Sequence, residues 1–294
     1  MLPIHVSIPT TWNHPNTYDK LVAISEQADT AVRNDGLVSL DFSTCTFLHH
    51  HAVAFLGGLI RRLQQQGCTV SIDIEQMNTQ VRMNLRKNGF LSAFGFDNAV
   101  GQSNAIVFRE DPFQDAGSYI AYLRDSWLGR GWVDVSERVK DVVSSAFWEI
   151  YANAFEHGQS ACGVFTCGQF YPVKHEISLS MVDLGIGIPA SVRTVKKVQH
   201  LDDARAIEWA MGLGNTSKEG NRGLGLDIME NFVALNGGRM DVVSLSGHLV
   251  VNNNGKTVMN RRSSFLGTVF NVTLIADNKR YIMGNEIEDE KLFK

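Results

Sequence analysis

No Walker sequence of the form Gly-x4-Gly-Lys-Ser/Thr occurs in this chain, so a P-loop is excluded as its means of holding phosphate. Apolar runs are short, none reaching the ~18 residues that a membrane helix requires, and the N-terminus has no basic segment followed by an apolar core. Neither a membrane span nor a signal peptide is therefore expected. Cysteine is scarce: Cys45, Cys68, Cys162 and Cys167 show neither paired metal spacing nor a secreted disulfide framework, which points to a reducing cytoplasm. There is no excess of positive charge, since 27 Lys and Arg face 31 Asp and Glu for a net charge of -4. That balance argues against nucleic acid as an obligate partner. Internal repeats and low-complexity tracts are absent as well. What remains is a chain of 294 residues, 44% hydrophobic, long enough to bury two cores and to form two domains.

The second half carries four ordered segments. From Val142 to His157, apolar residues at Val142, Val143, Ala146, Phe147, Ile150, Tyr151, Ala154 and Phe155 have the spacing of a helix with one buried stripe. Glu149, Asn153 and His157 recur every four residues and stack on an adjoining face. A carboxylate that acts as a base and an amide oxygen that ligates Mg²⁺ have to point into one cleft, and this spacing allows it; alone, it is equally the solvated face of an amphipathic helix. In Glu176–Asp183, Ile177, Leu179 and Met181 alternate with Ser178 and Ser180, as in a strand with one buried face, and period two puts Asp183 on that face. Gly185 and Gly187 follow in a sharp turn, and Pro189 suits the first turn of a helix. Gly212 to Leu226 holds five glycines before a helix, with Lys218 and Arg222 adding charge: an anion site or a flexible surface loop. Gly267-Thr268 opens a late strand.

The turn after Asp183 also fits the dinucleotide fingerprint Gly-x-Gly-x-x-Ala. That fingerprint needs an acidic residue at the end of the next strand, about 20 positions on. Here Asp202 and Asp203 open a helical run instead, so the context fails.

Taken together, Glu149–Gly158, Asp183–Pro189, Gly212–Leu226 and Gly267-Thr268 resemble the N box, the two glycine boxes and the closing Gly-Thr of the GHKL ATPases, the gyrase, chaperone, histidine kinase and mismatch repair superfamily. The resemblance implies a C-terminal α+β two-layer sandwich, of the Bergerat type, over 117–277. It implies ATP and Mg²⁺ as cofactors, with Glu149 as the catalytic base, Asn153 as the metal ligand and Asp183 accepting from the adenine amine. The other nucleotide-binding positions it implies are His157, Gly185, Gly187, Thr216, Lys218, Arg222, Gly223, Leu224, Gly225 and Thr268, those from 216 to 225 forming the lid. The sequence Asn-Ala-Phe-Glu-His-Gly resembles the anti-sigma serine kinase branch more than the membrane sensor kinases.

The first 97 residues alternate strand and helix: Pro3–Ile8, Tyr18–Val32, Leu37–Phe42, Ala52–Gln65, Thr69–Ile74 and a helix from Thr79, which implies a mostly parallel α/β sheet. Leu40 to Leu48 running into a helix resembles the STAS domain of anti-sigma-factor antagonists. Where those carry a phosphorylated serine this chain has His49-His50-His51, which puts the usual phosphoswitch in doubt. A metal site, a phosphoacceptor and a pH-sensitive contact are open, although consecutive helical residues do not face one way, which argues against one ion held by all three. A partly solvated helix start at a partner-binding edge is the simpler expectation. Residues 98–116 are expected to be a linker, with a strand at Ala105–Phe108 as the alternative within it, and 278–294 an acidic, peripheral tail. The resulting expectation is a cytoplasmic regulatory protein kinase or slow ATPase acting on a protein partner. The alternative is a non-catalytic, ATP-gated interaction switch, and a homodimer is left open.

Overall fold

The computed structural model describes residues 3–32, 36–98, 104–212, 224–284 and 286, with backbone alone for Ala31, Lys196, Leu224 and Gly225. In chain order the N-terminal unit contains β1 (Ile4–Ser7), α1 (Asn16–Val32), β2 (Leu37–Asp41), α2 (His50–Gln65), β3 (Thr69–Ile72), α3 (Thr79–Lys87) and α4 (Phe90–Ala93). Its strands form a parallel sheet with β2 in the middle, Val6 opposite Leu40 and Leu40 opposite Ile72. Parallel strands need crossover helices, and α1 and α2 supply them.

The remainder comprises β4 (Ala105–Asp111), α5 (Ala116–Tyr122), β5 (Asp134–Val135), α6 (Glu137–Glu156), β6 (Val164–Tyr171), β7 (Glu176–Asp183), α7 (Ile188–Val192), α8 (Asp203–Ala210), α9 (Leu224–Asn236), β8 (Arg239–Asn252), β9 (Gly255–Ile275) and β10 (Arg280–Tyr281). Five strands make one antiparallel sheet in the order β4-β6-β7-β9-β8. Its front face carries Leu179, Met181, Val242, Phe270 and Val272, which form a core with Phe147, Ile150 and Tyr151 of α6 and Met229 and Val233 of α9. The α6 helix starts at Ser136, whose hydroxyl accepts from the Val139 amide, as an N-cap residue does.

The N-terminal unit covers the back face of the same sheet. Residues of α2 such as Phe55 and Leu59 share one core with Phe165, Cys167, Val182, Leu184, Val243 and Val269. This explains the composition of α2, which is buried on nearly every side because it lies between two sheets. Gly57 allows the close approach: a Cβ there would stand 2.5 Å from the Phe108 ring. Arg61 of α2 then donates twice to the Glu110 carboxylate of β4, each bond 2.7 Å long. The two cores are thus the two faces of the larger sheet.

Within residues 98–116 the alternative strand is present and longer: Ala105–Asp111 is the edge strand β4, with Ile106 and Phe108 buried on opposite faces. Three expectations change. The β7 strand has no solvated face: Ser178 and Ser180 are buried against the N-terminal unit, hydrogen-bonded to Thr273 and Asn271. His49, His50 and His51 are all buried rather than lying along a solvated edge. The segment after Asp277 is docked at its beginning, where β10 pairs with β5, Tyr281 packs on Phe232, and the Glu286 carboxylate accepts from the Ser136 hydroxyl. No described helix is long and apolar enough to cross a membrane.

Candidate functional site

A cavity of about 600 Å³ opens between α6, the segment 187–211 and the front face of β7, β9 and β8, within the size range of small-molecule sites. Glu149, Asn153 and His157 line it from α6 and its C-terminal cap, so the four-residue spacing does bring them into one cleft. The opposite wall carries Asp183, Gly187 and Thr268. Of the remaining positions, Gly185 lies behind the wall, while Thr216, Lys218, Arg222 and Gly223 fall outside the described residues. Leu224 and Gly225 are the first residues of α9, whose Leu226 reaches the cavity.

Asp183 ends β7 directly opposite Thr268 of β9, which in turn stands opposite Ser244 of β8, so three polar residues form a row across the sheet. Burial pushes the Asp183 carboxyl up to about 7, while the Gly185 amide, donating at 2.9 Å, and the Thr268 hydroxyl pull it down. The resulting carboxyl retains acceptor capacity towards the cavity at a site otherwise lined by Met181, Val242 and Phe270. Such a group can accept a further hydrogen bond from a donor placed in the cavity, which would offset part of its desolvation.

The glycines hold the two walls together. A Cβ on Gly185 would stand 1.8 Å from the Gly158 carbonyl oxygen, and the same oxygen accepts from the Ile186 amide at 2.7 Å. Hence the end of α6 and the turn after β7 are one rigid corner. Gly187 adopts φ +82°, a conformation that side chains resist, and caps α7. Ser244 fixes that turn from below, accepting from the Ile188 amide at 2.9 Å and donating to the Gly267 carbonyl at 2.7 Å.

Sequence reasoning missed Ser244, the apolar floor, and Trp209, Met211 and Lys197 along the rim. Ser244 becomes visible only through the register of β8 on β9, which no local pattern reveals. Lys197 sits in a Lys-Lys pair that a search for phosphate-directed charge could have flagged. Asp203, in contrast, is engaged structurally: it opens α8, pairs with Arg193 and accepts from Ser246, well away from the role a dinucleotide fold would need.

The comparison with curated proteins gave no match. Residues 139–277, a little under half of the chain, match the family model described as histidine kinase-, DNA gyrase B-, and HSP90-like ATPase, which supports an ATP-binding domain of the GHKL type over this stretch.

Proposed function

We propose that the chain is a regulatory protein that binds ATP with Mg²⁺ in this cavity and acts as a protein kinase or slow ATPase. The observation that carries the reading is the buried Asp183 facing an apolar cavity whose other wall presents Glu149 and Asn153. The residues fit the cofactor. Asp183 and Thr268 would hold the adenine amine, and Met181, Val242 and Phe270 would flank the ring. Asn153 would hold the metal, whose charge neutralises phosphate oxygens when bound. Glu149 would take the proton from an attacking hydroxyl or water. The phosphate-binding role that the resemblance implies for Thr216, Lys218, Arg222, Gly223, Leu224 and Gly225 belongs to the same proposal, with 216–223 outside the described residues.

The anti-sigma serine kinase branch and a STAS-like identity for residues 1–97 belong to the same proposal, as do a cytoplasmic location and a protein partner. Incubation with γ-labelled ATP and Mg²⁺ tests it: label transferred to a co-purified protein marks a kinase, and free phosphate marks an ATPase.

A second reading is favoured by one observation. Helix α2 lies on the back of β6 and β7, and β7 ends at Asp183, so nucleotide binding and the N-terminal unit meet on one strand. That supports an ATP-gated interaction switch with little turnover. Full ATP affinity with neither transferred label nor released phosphate would select it.

A further inference from the structure

His49, His50 and His51 converge where α2 begins, inside the junction between the N-terminal unit and the back of the large sheet, and none is more than 3% exposed. Helical geometry alone would splay them apart. They meet because His49 is not helical: as the residue before α2 it is extended, with φ -70° and ψ 148°, and its side chain folds back on that of His51. One ring nitrogen from each of the three lies within 4.8 Å of the others.

The hydrogen bonding leaves this cluster incomplete. The Nδ1 atoms of His49 and His51 are 2.7 Å apart and can share only one proton, while Nε2 of His51 is buried with no partner. Either that Nε2 is an N–H with nothing to accept it, or it is a bare lone pair with nothing to donate to it. His50 is differently placed. Its Nε2 lies 2.9 Å from Oδ1 of Asn271, a pure acceptor that also takes the Ser180 hydroxyl at 2.6 Å, so Nε2 carries the proton. The lone pair of His50 Nδ1 then points at the Tyr171 hydroxyl, 3.0 Å away. Ligation through His50 Nδ1 would displace the Tyr171 hydroxyl, while the Asn271 contact at Nε2 would hold the ring as an outer-shell partner does for metal-binding histidines.

We propose that His49, His50 and His51 hold one divalent transition-metal ion of the zinc type, which fixes the extended-to-helical turn at the start of α2 where it packs on β7 and β9. Three imidazoles and no carboxylate suit zinc, cobalt, nickel or copper and disfavour magnesium or calcium, which require oxygen. Metal–nitrogen bonds of about 2.0–2.1 Å require the His49 and His51 Nδ1 atoms to part from 2.7 Å and the three nitrogens, now within 4.8 Å of one another, to turn towards one ion. The role is structural. Ser180 and Asn271 face the cluster on the back of the sheet, whereas Asp183 and Thr268, three positions along the same strands, face the ATP cavity in front.

The test uses the full chain, stripped of transition metals with a chelator and then titrated with Co²⁺ alone. One equivalent of bound cobalt is expected, with the visible d–d absorption of a nitrogen-ligated ion, displaced by Zn²⁺, and a melting temperature several degrees higher. H51Q and H50Q should lose the absorption, and H14Q, at an exposed histidine, should keep it. The thermal shift produced by ATP reports whether each variant still folds; should H50Q and H51Q fail to fold, the wild-type stoichiometry and spectrum decide alone. A folded wild-type chain that binds no stoichiometric cobalt overturns the proposal, and so does absorption that survives in a folded H51Q.

Discussion

At Asp183 the requirements of folding and of ligand binding pull in opposite directions. A buried carboxyl whose folded value is raised to about 7 from an ordinary value near 3.8 favours the folded state below about pH 4, and that contribution is lost as pH rises through 7. Asp183→Asn removes the dependence. Without nucleotide at pH 8, the variant should melt above the wild type, by an amount on the order of 2–4 kcal/mol, and the difference should vanish near pH 4. Binding has the reverse sign, since the ionised carboxylate is the better acceptor for an adenine amine. Wild-type ATP affinity should therefore be up to about tenfold weaker at pH 6 than at pH 8, which calorimetric titration at the two values would read. Affinity that does not change over that interval removes Asp183 from adenine recognition. The neighbouring residues separate chemistry from binding. Glu149→Ala should leave ATP affinity nearly intact and lower phosphate release by roughly 10² or more, whereas Asn153→Ala should weaken binding only when Mg²⁺ is present. Equal effects of both variants on affinity would contradict these roles.

Among the elements, the corner joining α6 to the turn after β7 has the least tolerance. Gly185→Ala would place a methyl group 1.8 Å from the Gly158 carbonyl oxygen, so α6 must shift and carry Asn153 and His157 with it. We expect a loss of about 2–4 kcal/mol in urea unfolding together with loss of the ATP-induced thermal shift. A variant as stable as the wild type would mean that the corner is not rigid. Much of this site was legible in the sequence, because a helix of period 3.6 and a strand of period two fix which residues share a face: Glu149 with Asn153 and His157, Asp183 with Met181. The strand alternation misled at Ser178 and Ser180, where serine faces a second protein layer instead of water. Polarity reports solvent only where no other element covers the face. The three histidines escaped for a related reason, as the extended backbone at His49 depends on Thr11 accepting from the His49 amide 38 positions away. Ser244 escaped because strand register is set by pairing and not by local pattern.

On the scale of the whole molecule, the five-stranded sheet is shared between the ATP-binding layer and the N-terminal unit. Two units built around one sheet should unfold together. A single transition is expected in calorimetry, with coincident loss of helical signal and of aromatic packing; two resolved transitions would indicate independent domains. Removing residues 1–103 would expose Phe165, Val182, Leu184 and Val269 on the back face, and the shortened chain is expected to aggregate. Recovery of a soluble, monomeric ATP-binding fragment would contradict the shared core. This architecture gives the regulatory reading its physical content: a partner that binds the N-terminal unit touches a layer whose sheet carries Asp183. The central claim, that ATP occupies the cavity in front of that sheet and is read by Asp183, is tested most directly by calorimetric titration of ATP with Mg²⁺ into the wild type and Asp183→Asn at pH 8. One site per wild-type chain is expected, with affinity lowered by about 1–3 kcal/mol in the variant while GTP binds neither well; equal ATP affinity for the two proteins, or no binding to either, would contradict the account.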